Sequence, residues 1–198
     1  MGYSVQLVAK TRDEDVDYEI FRCHEEADGG FLSRDFAMFQ SRDFEGCELK
    51  QVESLLQIDL SVYQKFPGNY SLDTGELEYQ LYLAEEKQDL NQMAAIERKM
   101  EEAEELWHQT YDTNNEGWTT VAEFRKVTRN LLDKLATEQD ISDRVVPPPG
   151  WDYPWGDYFA KSNLGIGADS LVKDLQALLI DLKCIESAGV NYVALYGG

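Results

Sequence analysis

Positive charge is what this sequence has least of. Lys and Arg number 18 against 38 Asp and Glu, so the formal charge is −20 and the sequence pI lies near 4.3. A surface of that sign repels nucleic acid and anionic membranes and attracts cations or a basic protein. Direct nucleic-acid binding and membrane binding are therefore not expected; a protein partner is, and a basic one would suit the charge, while solvated charged faces of a soluble acidic protein account for it as well. Histidine is almost missing: His24 and His108 stand far apart and form no H-E-x-x-H pattern. Cys23 beside His24 reads as a chance neighbour, because a nucleophile and its base are brought together in space rather than in sequence. Carboxylates are so abundant that no acid–base pair stands out, so no catalytic motif is found and a non-enzymatic protein is expected. The three cysteines, Cys23, Cys47 and Cys184, are odd in number and include no C-x-x-C pair. Neither a disulfide framework nor a zinc ribbon is indicated, and reduced thiols in the cytoplasm are the expectation. No apolar run reaches the length of a membrane span, and MGYSVQLVAK carries no charged leader before an apolar core.

Against these shortages stand 43% hydrophobic and 12% aromatic residues over 198 positions, which suits one ordinary domain, residues 1–198, with a sizeable core. Tyr3 to Ala9 alternates as a strand does, and Tyr18 to Cys23 is a second strand candidate that would make a hairpin with it. Asp28-Gly29-Gly30 breaks the chain. The aromatic-rich run Phe31, Phe36, Phe39 and Phe44 then suits a short helix. From about Glu48 to Phe66, Leu49, Val52, Leu56, Leu60, Tyr63 and Phe66 recur at helical spacing and Pro67-Gly68 ends the run. The alternation of Leu56, Ile58, Leu60 and Val62 leaves a strand open there. No proline occurs between Pro67 and Pro147, so the interval is free to be helical. Asp73 or Thr74 can cap a helix, and Leu83, Leu90, Met93, Ile96, Met100, Ala103 and Trp107 form a bundle-type stripe, as one helix or as two with a break near Asp89-Leu90-Asn91.

Beyond Leu135, residues 145–160 hold three consecutive prolines and the aromatics Trp151, Tyr153, Trp155, Tyr158 and Phe159. Prolines stiffen the segment into an extended strap, and the rings pin it to the core. Residues 169–198 read as a helix capped by Asp169 or Ser170, stopped by Gly189, and followed by the strand VNYVALYGG, which can lie beside the N-terminal strand.

The sharpest local pattern is DTNNEGWTTVAE, residues 112–123, between two helical patterns. Oxygen donors fall at Asp112, Asn114, Glu116, Thr120 and Glu123, and Gly117 stands where a wrapping chain turns sharply. Tyr111 precedes the loop and AEFRKVTRNLLDKL leaves it with Phe124, Val127 and Leu131 on one face. Residues 101–135 thus resemble one calmodulin-type EF-hand. The resemblance implies a calcium ion held from positions 1, 3, 5, 7, 9 and 12: Asp112, Asn114, Glu116, the carbonyl of Trp118, Thr120 and Glu123. Glu116 stands where Asp or Asn is usual, Thr119 stands where an aliphatic residue bridges paired hands, and no second loop is visible. A metal-free reading accounts for the same residues: Asn114, Asn115 and Gly117 form a turn, and Thr120 with Glu123 is a capping box for the next helix.

The expected architecture is α+β and predominantly helical: a helical bundle over about 48–135 and a small sheet made by the N- and C-terminal strands. Two functions are open. One is a non-enzymatic acidic binding protein with a calcium loop. The other is an acidic inhibitor of a basic partner, such as a toxin immunity protein or a nucleic-acid mimic against a nuclease.

Overall fold

Alternation along Val5–Ala9 produces the first strand, β1, of which Val5, Leu7, Val8 and Ala9 are buried. In the computed structural model, which describes residues 5–11, 19–25, 29–41, 45–68, 72–138, 140–146, 158–159 and 168–197, β1 pairs antiparallel with the C-terminal strand Tyr192–Gly197 in the register Val5↔Gly197 to Ala9↔Val193. The two terminal strands therefore form the sheet that the sequence called for. Its other member is the two-residue strand Thr119–Thr120, β2, so the C-terminal strand, β3, lies in the middle. The N-terminal hairpin does not form: Phe21–Cys23 is a 3-10 turn. The free edge of β1 is met instead by Gly30 and Leu32, through Leu7 N–H to Gly30 O at 2.7 Å and Leu32 N–H to Val5 O at 3.1 Å. Gly30 has φ +77, and a Cβ there would sit 2.6 Å from the Leu7 carbonyl oxygen, so only glycine permits this approach.

The chain divides into two compact units, 1–66 with 117–198, and 67–116. In the larger unit the aromatic run becomes helix α1 (Arg34–Ser41), and Phe36 and Phe39 are fully buried. Phe44 lies outside the described residues. Ser33 caps α1 by accepting the Phe36 N–H at 3.0 Å. Helix α2 (Glu48–Leu56) is shorter than its periodicity suggested. Gln57, at φ 54, reverses the chain and donates to Glu53 O; Ile58 and Leu60 then alternate as buried residues with exposed Gln57 and Asp59, and Ser61–Gln64 closes as a 3-10 turn. The helical reading holds over Glu48–Leu56, and the strand left open beyond it does not form, although burial alternates at Ile58 and Leu60.

Two long helices complete this unit. α5 (Val121–Thr137) buries Phe124, Val127, Leu131 and Leu135, and α7 (Ala168–Ser187) buries Leu171, Leu175, Leu178, Leu182 and Ile185. The helix α7 begins one residue early for the expected caps, so Asp169 and Ser170 lie in its first turn. Gly189, at φ +78, stops it, with Val190 N–H returning to Ile185 O. Aromatic edges knit the core: Tyr63 meets Phe36 at 5.5 Å and Phe124 at 5.4 Å between centroids. Tyr63 donates to Thr128 Oγ1 at 3.0 Å, and complete burial pushes its pKa far above the usual phenol value, the Thr128 hydrogen bond opposing only part of this.

Of the strap, Tyr158 and Phe159 are described, and both are buried. The Glu48 carboxylate, itself 1% exposed, accepts the Tyr158 and Phe159 N–H groups, each at 2.8 Å. The Tyr158 hydroxyl donates to Asp174 on α7, and its pKa rises through burial and the neighbouring carboxylate. The prolines and Trp151, Tyr153 and Trp155 lie outside the described residues. After the four-residue helix α6 (Ile141–Arg144), Gln51 on α2 holds Val146 at both backbone groups, donating to its carbonyl at 2.7 Å and accepting its N–H at 3.0 Å.

Reduced thiols are not what the fold holds. Cys23 and Cys184, 161 residues apart, form a disulfide with Cα atoms 5.4 Å apart, while Cys47 stands outside it, buried. Spacing along the chain gave no sign of this pair, because folding alone brings the 3-10 turn onto α7. The smaller unit is a helical pair, α3 (Gly75–Glu86) and α4 (Leu90–Thr113), so the long stripe divides in two, with Asp89 capping α4 through the Gln92 N–H at 3.1 Å. Among the described residues no helix is long and apolar enough to cross a membrane.

Candidate functional site

The loop 112–123 takes its first residues from the end of α4 and its last from the start of α5. α4 runs through Asp112 to Thr113, and Asn114, at φ −91 and ψ 117, ends it with its N–H on Thr110 O. Asn114 Oδ1 then accepts the Glu116 N–H at 2.8 Å, a side-chain turn that draws the third loop position over the fifth. Gly117, the sixth position, takes φ +79, the left-handed conformation that the sequence required there. Asp112, Asn114 and Glu116 are exposed.

From Gly117 onward the chain belongs to the larger unit. Trp118 is 5% exposed. Thr119 and Thr120, the eighth and ninth positions, pair with Val193 and Tyr192 of β3, and the Val121 N–H continues the ladder to Asn191 O at 2.9 Å. Thr120 caps α5: its Oγ1 accepts the Glu123 N–H at 3.2 Å, so the capping box is half realised. The Glu123 carboxylate is exposed and lies 3.5 Å from Lys126 Nζ. Among the described residues, no three or more His, Cys, Asp and Glu side chains are gathered as a metal-holding group. Three of the six loop positions carry carboxylates, Asp112, Glu116 and Glu123, while the others supply an amide, a hydroxyl and a backbone carbonyl.

Two features near this loop escaped sequence reasoning. One is β3 as the partner of Thr119, the residue that in a pair of EF-hands would face the other loop. The signal for it was the β-branched Thr-Thr run and the strand pattern of VNYVALYGG, but neither names a partner, since strand pairing is not local. The other is Lys10, whose Nζ lies 5.9 Å from the Trp118 ring centroid and 5.8 Å from that of Tyr192, and whose pKa is lowered by partial burial. A cation over two rings is held by their negative faces. Beside the ladder, Thr120, Val121, Glu186, Gly189 and Tyr192 line an open depression of about 410 Å³, and Glu186 pairs with Arg125 there.

No family model, curated protein or solved structure matches the chain.

Proposed function

We propose that the protein is a non-enzymatic acidic binding protein whose loop Asp112 to Glu123 takes calcium. The observation that carries this reading is the order of backbone states through the loop: a helix ending just after position 1, a side-chain turn from position 3 to position 5, positive φ at Gly117, a two-residue strand, and a helix from position 10. That is the order in which a chain wraps a hard ion with oxygens. Asp112, Asn114, Glu116, the Trp118 carbonyl, Thr120 and Glu123 would hold the ion, and Glu123 can offer both carboxylate oxygens. The lack of a second hand weighs less once Thr119 is paired with β3, because the sheet anchors the strand that a partner loop would otherwise steady. Calcium at a hundredfold excess over Kd stabilises a folded protein by about 2.7 kcal/mol, so the expected result is a rise in Tm of roughly 5–10 °C for a chain of this length. Glu123→Gln should abolish the rise without lowering the calcium-free Tm. No shift at 10 mM calcium, a concentration of about the weakest EF-hand range or above, removes the metal from this reading.

A second reading, an acidic inhibitor of a basic protein such as a toxin or a nuclease, has its own support. Residues 67–116 contain thirteen acidic and three basic residues, a formal −10, half the charge of the whole chain on about a quarter of its length. Charge of one sign steers a partner of the other into contact. A pull-down with the full chain as bait should retain a basic nuclease at low salt and release it at high salt; retention that salt leaves unchanged argues against charge as the basis of binding.

A further inference from the structure

Helix α3 is apolar on two sides, and one of them is uncovered. Leu77, Leu81 and Ala84 recur at the spacing of one helical face; Ala84 is fully buried and the leucines are half-buried. That face is the one a helix needs for packing on its neighbour α4. Tyr79 and Tyr82 project from the opposite side, 60% and 54% exposed. Glu78, Glu85 and Glu86 of the same helix are exposed as well, and the Tyr82 hydroxyl donates to Glu86 Oε1 at 2.9 Å, which sets ring and carboxylate side by side.

We propose that this face of α3 docks an arginine-rich segment of a protein partner. The inference rests on the reading of a basic partner and names the chemistry it would present. Charge selects a cation, since the face belongs to the segment that carries −10. The rings then select among cations. A guanidinium is flat, stacks on a phenol ring, and from that position still reaches a neighbouring carboxylate with two parallel N–H groups. A lysine ammonium is a compact, strongly hydrated point charge that cannot do both. A second copy of this chain is a poor occupant, because it brings the same −20 to the contact.

Fluorescein-labelled hexa-arginine and hexa-lysine, titrated with the full chain and followed by anisotropy, test the proposal. Hexa-arginine should bind about fivefold or more tighter than hexa-lysine. The variant Y79S/Y82S, which changes no charge, should bind both peptides equally. Y79L/Y82L keeps the apolar volume and the helix propensity and should lose the preference too, so a misfolded serine variant would not spare the idea. Equal binding of the two peptides by the unaltered chain overturns the docking face and leaves the basic-partner reading standing, as does a preference that survives both double variants. Binding of neither peptide overturns both. A dimer in sedimentation velocity that Y79S/Y82S dissociates would assign the face to self-association instead and also overturn the proposal.

Discussion

Breaking the Cys23–Cys184 bond, by reduction or by Cys23→Ser, is expected to remove about 5 kcal/mol of stability on the chain-entropy account of a cross-link. The figure follows from the size of the loop, since the two cysteines are 161 residues apart and the denatured chain loses most freedom when distant residues are tied. At roughly 2–4 °C per kcal/mol for a chain of this length, Tm should fall on the order of 10–20 °C. The loss should be cooperative, because the bond joins the 3-10 turn Phe21–Cys23 to α7, whose leucines form one wall of the core. The same bond bears on location. A cytoplasmic site, expected from reduced thiols, is set against a disulfide that belongs to an oxidising compartment. Alkylation during denaturing lysis of cells, followed by mass spectrometry, separates the two, with all three cysteines modifiable if the compartment is reducing and only Cys47 if it is oxidising. A reduced protein whose Tm is unchanged would mean that the bond contributes nothing in solution.

Glu48→Ala is expected to be nearly as costly as the loss of the disulfide, at about 3–5 kcal/mol. The reason is the two donors left behind. Tyr158 and Phe159 each give a backbone N–H to this carboxylate, both residues are buried, and a buried donor without an acceptor costs about 1–3 kcal/mol; loss of a hydrogen-bonded buried charge adds to the disturbance. Glu48→Gln keeps one acceptor oxygen and should cost about half as much. Thermal or denaturant unfolding of the two variants measures both figures. A change below about 0.5 kcal/mol in Glu48→Ala, the ordinary range of surface substitutions, would show that water replaces the carboxylate and that the Tyr158–Phe159 segment is not fastened there. The contact also explains how a buried glutamate is tolerated at the start of α2: it accepts the N–H groups of Tyr158 and Phe159 and sits in the first turn, at the positive end of the helix, where a bare carboxylate could not otherwise remain.

The order of local states was written in the sequence. Glycine at 189 stops α7 because a left-handed residue is needed there, Asp89 starts α4 because its carboxylate meets the Gln92 N–H, and period two along Val5–Ala9 makes a strand with one face in the core. Each depends on residues within a few positions of one another. The backbone course of 112–123 was legible in the same way, through the turn formers at Asn114 and Gly117 and the cap at Thr120. What neighbours cannot specify came from tertiary structure. Tyr18 to Cys23 alternates well enough for a strand, yet Phe21–Cys23 turns as a 3-10 helix, and the edge of β1 takes Gly30 and Leu32 in its place. The periodicity of 48–66 could not place the reversal at Gln57, since helix and strand patterns overlap on Leu56 and Leu60. Pairing of Cys23 with Cys184, of Thr119 with Val193, and of Glu48 with the backbone at 158 and 159 joins positions more than seventy residues apart. A sequence determines where its backbone turns, caps and alternates, because those energies are local; which side chains then meet is decided when the core closes and every buried donor and acceptor must find its partner.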